Sequence, residues 1–364
     1  MTQEAPAAVG QRIEEVDTPA LILDLEAFEK NLETMRQCVA GRVRVRAHAK
    51  THKCPQIAQR QIAAGAIGVC CQKVSEAQTL VEGGVRDVLV SNEIVGRSKI
   101  ERLAALSQRA HLGVCVDNAD NLRELAATGA RLDVYVELEV GMGRCGVAPG
   151  APAAALAREV AKAPSLRFAG LQAYHGSAQH LRSMAERRAS IERAADAVRR
   201  TKALLAQEGI ETPVVTGAGS GTFMFEVESG AWDEIQPGSY IFMDADYARN
   251  EWAAPLPRFE HALFVLATVM SRPAADVAIV DAGLKASSVD SGMPTVWAKE
   301  GLRYTKASDE HGRIEGPQPP ALGDKLLLVP GHCDPTVNLY DWYVCVRRGA
   351  VEEIWPIRAR GAVA

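Results

Sequence analysis

AIGVCCQKVSEAQTLVEGGVRDVLVSN, residues 66–92, sets two short apolar runs, AIGVCC and DVLVSN, on either side of SEAQTLVEGG, whose apolar residues recur at helical spacing. Short runs rich in Val, Ile and Leu and bounded by Gly, Asp or Asn read as buried strands; a 3.6-residue period reads as an amphipathic helix. Two strands joined through a helix run parallel, because the crossover carries the chain back to its starting end. The same unit repeats in both directions. Upstream, VRVRAHA (43–49) precedes PQIAQRQIAAG (55–65). Downstream come HLGVCVD (111–117), LDVYVELE (132–139), RFAGLQAYHG (167–176), PVVTGAG (213–219) and SYIFMDADY (239–247). Eight alternations over roughly 220 residues fit a closed (β/α)8 TIM barrel better than an open doubly wound sheet.

At the edges of this array the pattern changes. LEAFEKNLETM places Leu25, Phe28, Leu32 and Met35 on one helical face, with Asp24 as its N-cap. Near Pro255–Pro257 the helices stop. HALFVLATVMS, DVAIVDAG, KLLLVP and WYVCVRRG are strand-like runs joined by Gly, Pro and Asp turns, so the chain ends in an all-β domain. The expected division is an N-terminal segment, 1–24, packing with the β domain, a barrel over 25–255 and the β domain over 256–364.

The chain has 364 residues, 47% of them hydrophobic and 24% charged, and a formal net charge of −4. Such a balance offers no basic field for nucleic acid and points to a small-molecule substrate. No stretch approaches the apolar length of a membrane span, and the start, MTQEAPAAVGQRIEE, lacks a secretory pattern, which predicts a cytoplasmic protein. The eight cysteines form no CxxC pair and read as reduced core residues.

In a (β/α)8 barrel, chemistry sits at the C-terminal ends of the strands. That rule collects His48 and Lys50 from RAHAKTHK (46–53), then Gln72, Lys73, Asn92, Arg144 from GMGRCG, and Tyr174, His175 and His180 from YHGSAQH. It adds GAGSGT (217–222) with Ser220 and Thr222, QPGSY (236–240) with Gly238 and Ser239, and Tyr247. A lysine at a barrel mouth can lose its proton to burial and cationic neighbours and so form a Schiff base. Glycine-rich loops after the last strands are where barrels hold phosphate. A lysine opposite a phosphate cradle suggests pyridoxal phosphate.

Taken in order, DTPALILDLEAFEKN, RAHAKTHK, GMGRCGV, YHGSAQH, GAGSGT, QPGSYIFMD and VPGHCDPTVNLYDWY resemble the fold type III pyridoxal-phosphate enzymes related to alanine racemase. Within them, the chain is similar to the branch of D-threonine aldolase, D-3-hydroxyaspartate aldolase and D-serine dehydratase. The resemblance implies that Lys50 carries the cofactor, that Arg144 approaches its phenolic oxygen, and that Gly238 and Ser239 help hold its phosphate. It also implies a homodimer in which the β domain of one chain faces the barrel of the other. Gln72, Tyr174, Ser220, Thr222 and Tyr247 complete the expected cofactor shell.

Two departures disfavour racemization: Gln236 stands where racemases carry an arginine beside the pyridine nitrogen, and DAGLKASSVDSG offers no counterpart to their β-domain tyrosine. Instead GHCDPTVN offers His332 and Asp334, a ligand pair that leaves positions open on a catalytic divalent ion, with Mn²⁺ the leading candidate and Mg²⁺, Co²⁺ and Zn²⁺ alternatives. Cys333, between them, is expected to point away. The expected reaction takes a β-hydroxy-D-amino acid of the D-threonine or D-3-hydroxyaspartate type. Its amine displaces Lys50, the metal acidifies its β-hydroxyl, and His180 removes the hydroxyl proton as Cα–Cβ breaks to an aldehyde and glycine. His175 is the rival base. A D-serine or 3-hydroxyaspartate dehydratase and a non-catalytic pyridoxal-phosphate carrier are the alternatives; the β domain with its metal turn argues against the carrier.

Overall fold

The computed structural model describes residues 4–254 and 256–364, so Pro255, at the expected domain boundary, lies outside the described residues. A first strand, β1 (Ala20–Asp24), leads into helix α1 (Leu25–Val39). Asp24 caps that helix as expected, its Oδ1 accepting from the amides of Glu26 at 2.9 Å and Ala27 at 3.1 Å, and the four predicted apolar positions are buried.

The barrel follows as β2 (Arg44–His48), β3 (Gly68–Cys71), β4 (Asp87–Glu93), β5 (His111–Val116), β6 (Leu132–Glu137), β7 (Leu166–Ala173), β8 (Val214–Gly217) and β9 (Glu234–Ile235). Every neighbouring pair is parallel, and β9 pairs with β2 to close the ring. Helices α2 (Pro55–Ala63), α3 (Val74–Glu82), α4 (Arg97–Leu106), α5 (Ala119–Ala127), α6 (Ala151–Lys162), α7 (Met184–Gln207) and α8 (Phe223–Ser229) connect the strands in turn. All six residues of β6 are buried, as a strand covered on both faces requires.

One element departs from expectation. SYIFMDADY is not the eighth strand; that place belongs to β9, while 239–241 form a 3-10 turn and Ala245–Ala248 the short helix α9. Tyr240, Ile241 and Phe242 are as buried as any strand, and an apolar run this short carries no period to separate the two conformations. Met243, with φ at 50°, breaks the extended path.

The second domain contributes β10 (Leu263–Ala274), β11 (Val277–Val280), β12 (Thr295–Val296), β13 (Arg303–Ala307), β14 (Gly312–Glu315), β15 (Lys325–Val329), helix α10 (Cys333–Val337), β16 (Trp342–Arg347) and β17 (Ala350–Pro356). The four predicted strand runs are all present, and β12, β13, β14 and β17 were not anticipated. Their order is β13-β14-β11-β10-β1-β16-β17, with β15 pairing β10 and β12. The strand β1 therefore lies inside the sheet, antiparallel to β10 and parallel to β16. Among the described residues no helix is long and apolar enough to cross a membrane.

The barrel floor is ionic. Arg46, 5% exposed, donates from Nε to Glu234 Oε1 at 2.8 Å and also binds Asp87. His111 bridges Asp87 (3.0 Å) and Asp133 (2.9 Å), and Arg167 Nε reaches Asp133 at 2.6 Å. Burial opposes the charged form of His111, but these carboxylates outweigh it and raise its pKa. The stabilisation is therefore full below the unfolded pKa of about 6.5 and is lost as pH rises through the raised folded value. His111→Gln should be less stable than the native chain at about pH 6 and should converge on it at alkaline pH. With the ring half exposed, screening limits the difference to about 1 kcal/mol or less. Urea titrations at two pH values check this; a gap that widens with pH would refute it.

Candidate active site

A cavity of about 290 Å³ opens at the C-terminal mouth of the barrel. Lys50, Gln72, Arg144, Tyr174, His180, Tyr247, Ser220, Gly238 and Ser239 all border it. Gln236 lies at its base, with Nε2 donating to Gln172 Oε1 at 2.8 Å and Thr216 Oγ1 at 2.9 Å. Lys73, Asn92 and His175 do not border the cavity. Lys73 is the N-cap residue of α3, and Asn92 Nδ2 is spent on Gln72 O at 3.0 Å.

Lys50 follows β2, and its Nζ donates to Asp334, which α10 of the β domain brings to the barrel rim. Burial works against the ammonium, but Asp334 outweighs it and holds the amine above its ordinary range. Asp334 is in turn kept below the usual carboxylate range, Lys50 and His332 overcoming its burial. The expectation that cationic neighbours lower the lysine pKa is thus reversed. Burial, and after it the charge of Lys50, holds His48 well down, and burial takes His52 to about 3, so both rings are neutral. His48 Nε2 lies 3.1 Å from Gln72 Nε2, which also donates to Ser91 O at 3.1 Å.

Thr51, Ser220, Gly238 and Ser239 bring hydroxyls and backbone to the cavity lining. A Cβ on Gly238 would lie 2.4 Å from Thr51 Oγ1, so glycine is required for the backbone to come this close. Thr51 Oγ1 is buried on the cavity lining, close enough to Asp334 to help hold that carboxyl down. Ser220 Oγ accepts from Tyr240 N at 2.9 Å and keeps its own proton to donate. Thr222 stands apart. It does not border the cavity; its hydroxyl accepts from Gln179 Nε2 at 2.7 Å and donates to Glu226 Oε1 at 2.8 Å.

Gln179, fully buried, was not singled out from sequence. Its Oε1 accepts from Gly221 N at 2.9 Å, lashing GAGSGT to the turn that carries His180. His180 faces the cavity, 5.7 Å from the Tyr247 ring, with Nδ1 at 2.5 Å from Asp246 Oδ2. His175 lies instead against Gly141, where a Cβ would meet its ring at 2.4 Å.

Arg144 lies with its guanidinium carbon 5.8 Å from the Tyr174 ring and Nη2 3.9 Å from Glu137 Oε1. Behind it, ligand-type atoms of Glu93, Asp117 and Cys145 lie within 4.8 Å of one another. Burial and the neighbouring Glu93 push Glu137 up to about 8, and Asp117 accepts from Gly146 N at 3.0 Å. This acidic group anchors the loop that carries Arg144.

His332, which does not border the cavity, is the N-cap residue of α10, and its Nδ1 lies 2.8 Å from Asp290 Oδ2. Asp290 is another functional neighbour that sequence reasoning missed. Cys333, the first residue of α10, is fully buried; its amide donates to Asp244 Oδ2 at 3.0 Å, and its Sγ lies 3.4 Å from Asp334 Oδ1.

Comparison with known proteins adds three relatives. Residues 23–246 match the family model for the N-terminal domain of alanine racemase, and 262–346 match a serine dehydratase domain. The chain is 51% identical to a D-threonine aldolase of Arthrobacter sp, covering 98% of this chain and 96% of the relative. It is 45% identical to a 3-hydroxy-D-aspartate aldolase of Paracoccus denitrificans, with the same coverage. The crystal structure of D-threonine aldolase from Filomicrobium marinum superposes with a TM-score of 0.97 at 53% identity, over 99% of this chain and all of that one.

Proposed function

Because the chain belongs to the alanine racemase-like family, and within it to the branch of D-threonine and 3-hydroxy-D-aspartate aldolases, we propose that it cleaves β-hydroxy-D-amino acids to glycine and an aldehyde. It is a carbon–carbon lyase. The observation that carries the reading is a cavity bordered by an amine and an imidazole, Lys50 and His180, with the amine bound to a carboxylate of the β domain, Asp334.

The residues fit pyridoxal phosphate and a divalent cation. Thr51, Ser220, Ser239 and the Gly238 backbone suit a phosphate, the close backbone approach at Gly238 above all. Lys50 supplies the amine for covalent attachment, and Arg144 suits the phenolic oxygen. His332 and Asp334 suit the cation, which we take to be Mn²⁺; Asp290 holds Nδ1 of His332 and leaves Nε2 to ligate. When bound, these groups supply an electron sink for the pair left at Cα and a Lewis acid for the β-hydroxyl. His180 receives the hydroxyl proton on the ring nitrogen that faces the cavity. Tyr174, half-buried, and Tyr247, buried, have pKa values raised by burial; they keep their protons and wall that proton transfer on the cavity side. We take the active form to be a homodimer, a reading supported by the exposed Met270, Leu284, Met293 and Trp297 of the β domain; a monomeric mass in light scattering would overturn it.

The test is direct. Purified protein given Mn²⁺ and D-threonine should release glycine and acetaldehyde, and prior chelation should remove the activity until Mn²⁺ is restored. Pyruvate or 2-oxobutyrate in place of glycine would select a dehydratase. No turnover of D-threonine or D-3-hydroxyaspartate would refute the proposal.

A further inference from the structure

We infer that Asp246 is the positioning residue of the base, fixing His180 in the one tautomer and orientation that presents Nε2 to the cavity. The inference rests on His180 being the proton acceptor proposed above. His180 ends the 3-10 turn Ser177–His180 and has a side chain 46% exposed. Its Nδ1 faces Asp246 Oδ2 at 2.5 Å. A neutral imidazole has one N–H and an ionised carboxylate can only accept. The nitrogen facing Asp246 therefore carries the hydrogen, and the lone pair is on Nε2.

That logic requires an ionised carboxylate, and Asp246 is 3% exposed, where ionisation is normally resisted. Two guanidiniums reverse the balance. Arg182 Nη2 donates to Asp246 Oδ1 at 2.6 Å, and Arg249 Nη2 donates to the same oxygen. Burial raises the Asp246 pKa, but the bonds from Arg182, His180 and Arg249 more than offset it. One carboxylate oxygen serves the arginines, so the other is left for the ring.

Each arginine is tied down in turn. Arg182 Nη1 donates to Asp246 O at 2.8 Å and to Asn250 Oδ1 at 2.7 Å, while Asn250 Nδ2 donates to Gln179 O at 2.8 Å, one residue before His180. Arg249 Nη2 also donates to Ser291 O at 2.6 Å. A Cβ on Gly292 would lie 2.7 Å from Arg249 Nη1, so glycine keeps room for that guanidinium. Ser291 adjoins Asp290, the partner of His332. The same hydrogen-bonded set that aims the imidazole of the barrel therefore reaches the loop that aims the imidazole of the β domain. The carboxylate cannot turn without breaking three charged bonds.

Asp246→Asn tests this. The amide oxygen is better kept on the arginines, which turns the NH2 toward His180, so that the ring accepts at Nδ1 and carries its proton on Nε2, the wrong nitrogen. We expect kcat to fall by about 10²–10⁴-fold with little change in KM, and Asp246→Glu to recover part of the loss. Nitrogen-15 NMR of histidine-labelled protein at alkaline pH, with the His180 signals assigned from His180→Gln, should report Nδ1–H in the native chain and Nε2–H in Asp246→Asn. An Nε2–H tautomer in the native chain would overturn the inference, and that spectrum decides even if the variant does not fold. Loss of activity in His180→Gln together with native kcat in Asp246→Asn would refute it while leaving the base in place. An active His180→Gln would remove the base, and the native spectrum would still decide whether Asp246 sets the tautomer.

Discussion

Lys50→Ala yields a folded protein that releases no glycine above background, a fall in kcat/KM of more than about 10³-fold, because covalent attachment and any proton carried by the amine go together. Borohydride treatment of the native holoprotein should fix the cofactor to residue 50, and the variant should carry no such label. Stability is a secondary concern. The substitution strips Asp334 of an ion-pair partner, but the Lys50 side chain is 37% exposed, so the cost is on the order of 1 kcal/mol rather than that of a fully buried pair. Lys50→Arg separates the two effects. Its guanidinium restores the charge opposite Asp334, yet it cannot act as a nucleophilic amine at any accessible pH. Activity in Lys50→Arg, or label on another lysine, would end the assignment.

Asp334→Ala addresses the other half of the site. The carboxylate reaches Lys50 from α10 with a side chain only 13% exposed, and it shares that turn with His332. We expect a loss of about 10²–10³-fold in kcat/KM, comparable to removing one directed electrostatic group from an enclosed site. The residual activity should be indifferent to chelator, and the borohydride label on Lys50 should persist. If the residual activity still needed Mn²⁺ as strongly as the native enzyme, the cation would have to sit elsewhere.

The barrel was legible because each crossover repeats one physical pattern, a buried parallel strand followed by a helix with a single apolar face. Asp24 announced the first helix because a capping carboxylate acts on its own neighbours, two and three residues away. Where the cue was burial alone, reading failed: Tyr240 and Ile241 are as apolar as a strand but pack in a 3-10 turn. The site was legible in its chemically capable residues, since Lys50, Arg144, His180 and the Gly238–Ser239 pair follow strands or sit in glycine-rich loops, and all border one cavity. The residues that orient them were not. Asp246, Gln179 and Asp290 lie in a four-residue helix, a 3-10 turn and a loop, too short to carry a period, and their partners are 66, 42 and 42 positions away in the chain. No local period marks a carboxylate whose task is set by a distant ring. The neutral histidines around Lys50 show the same gap, since sequence displays four nitrogens but not the burial that discharges two of them.

The interior position of β1 has a consequence for how the molecule comes into being. Leu21 lies beside Val265 on one side and Tyr343 on the other, so this strand needs partners made long after it. During that interval ALIL has neither edge paired, and loop closure across most of the polypeptide must precede its docking. The barrel can assemble from sequence-adjacent units while it waits. Asp334 follows Lys50 by 284 positions, so a copy that lacks the β domain has the amine without its opposing carboxylate.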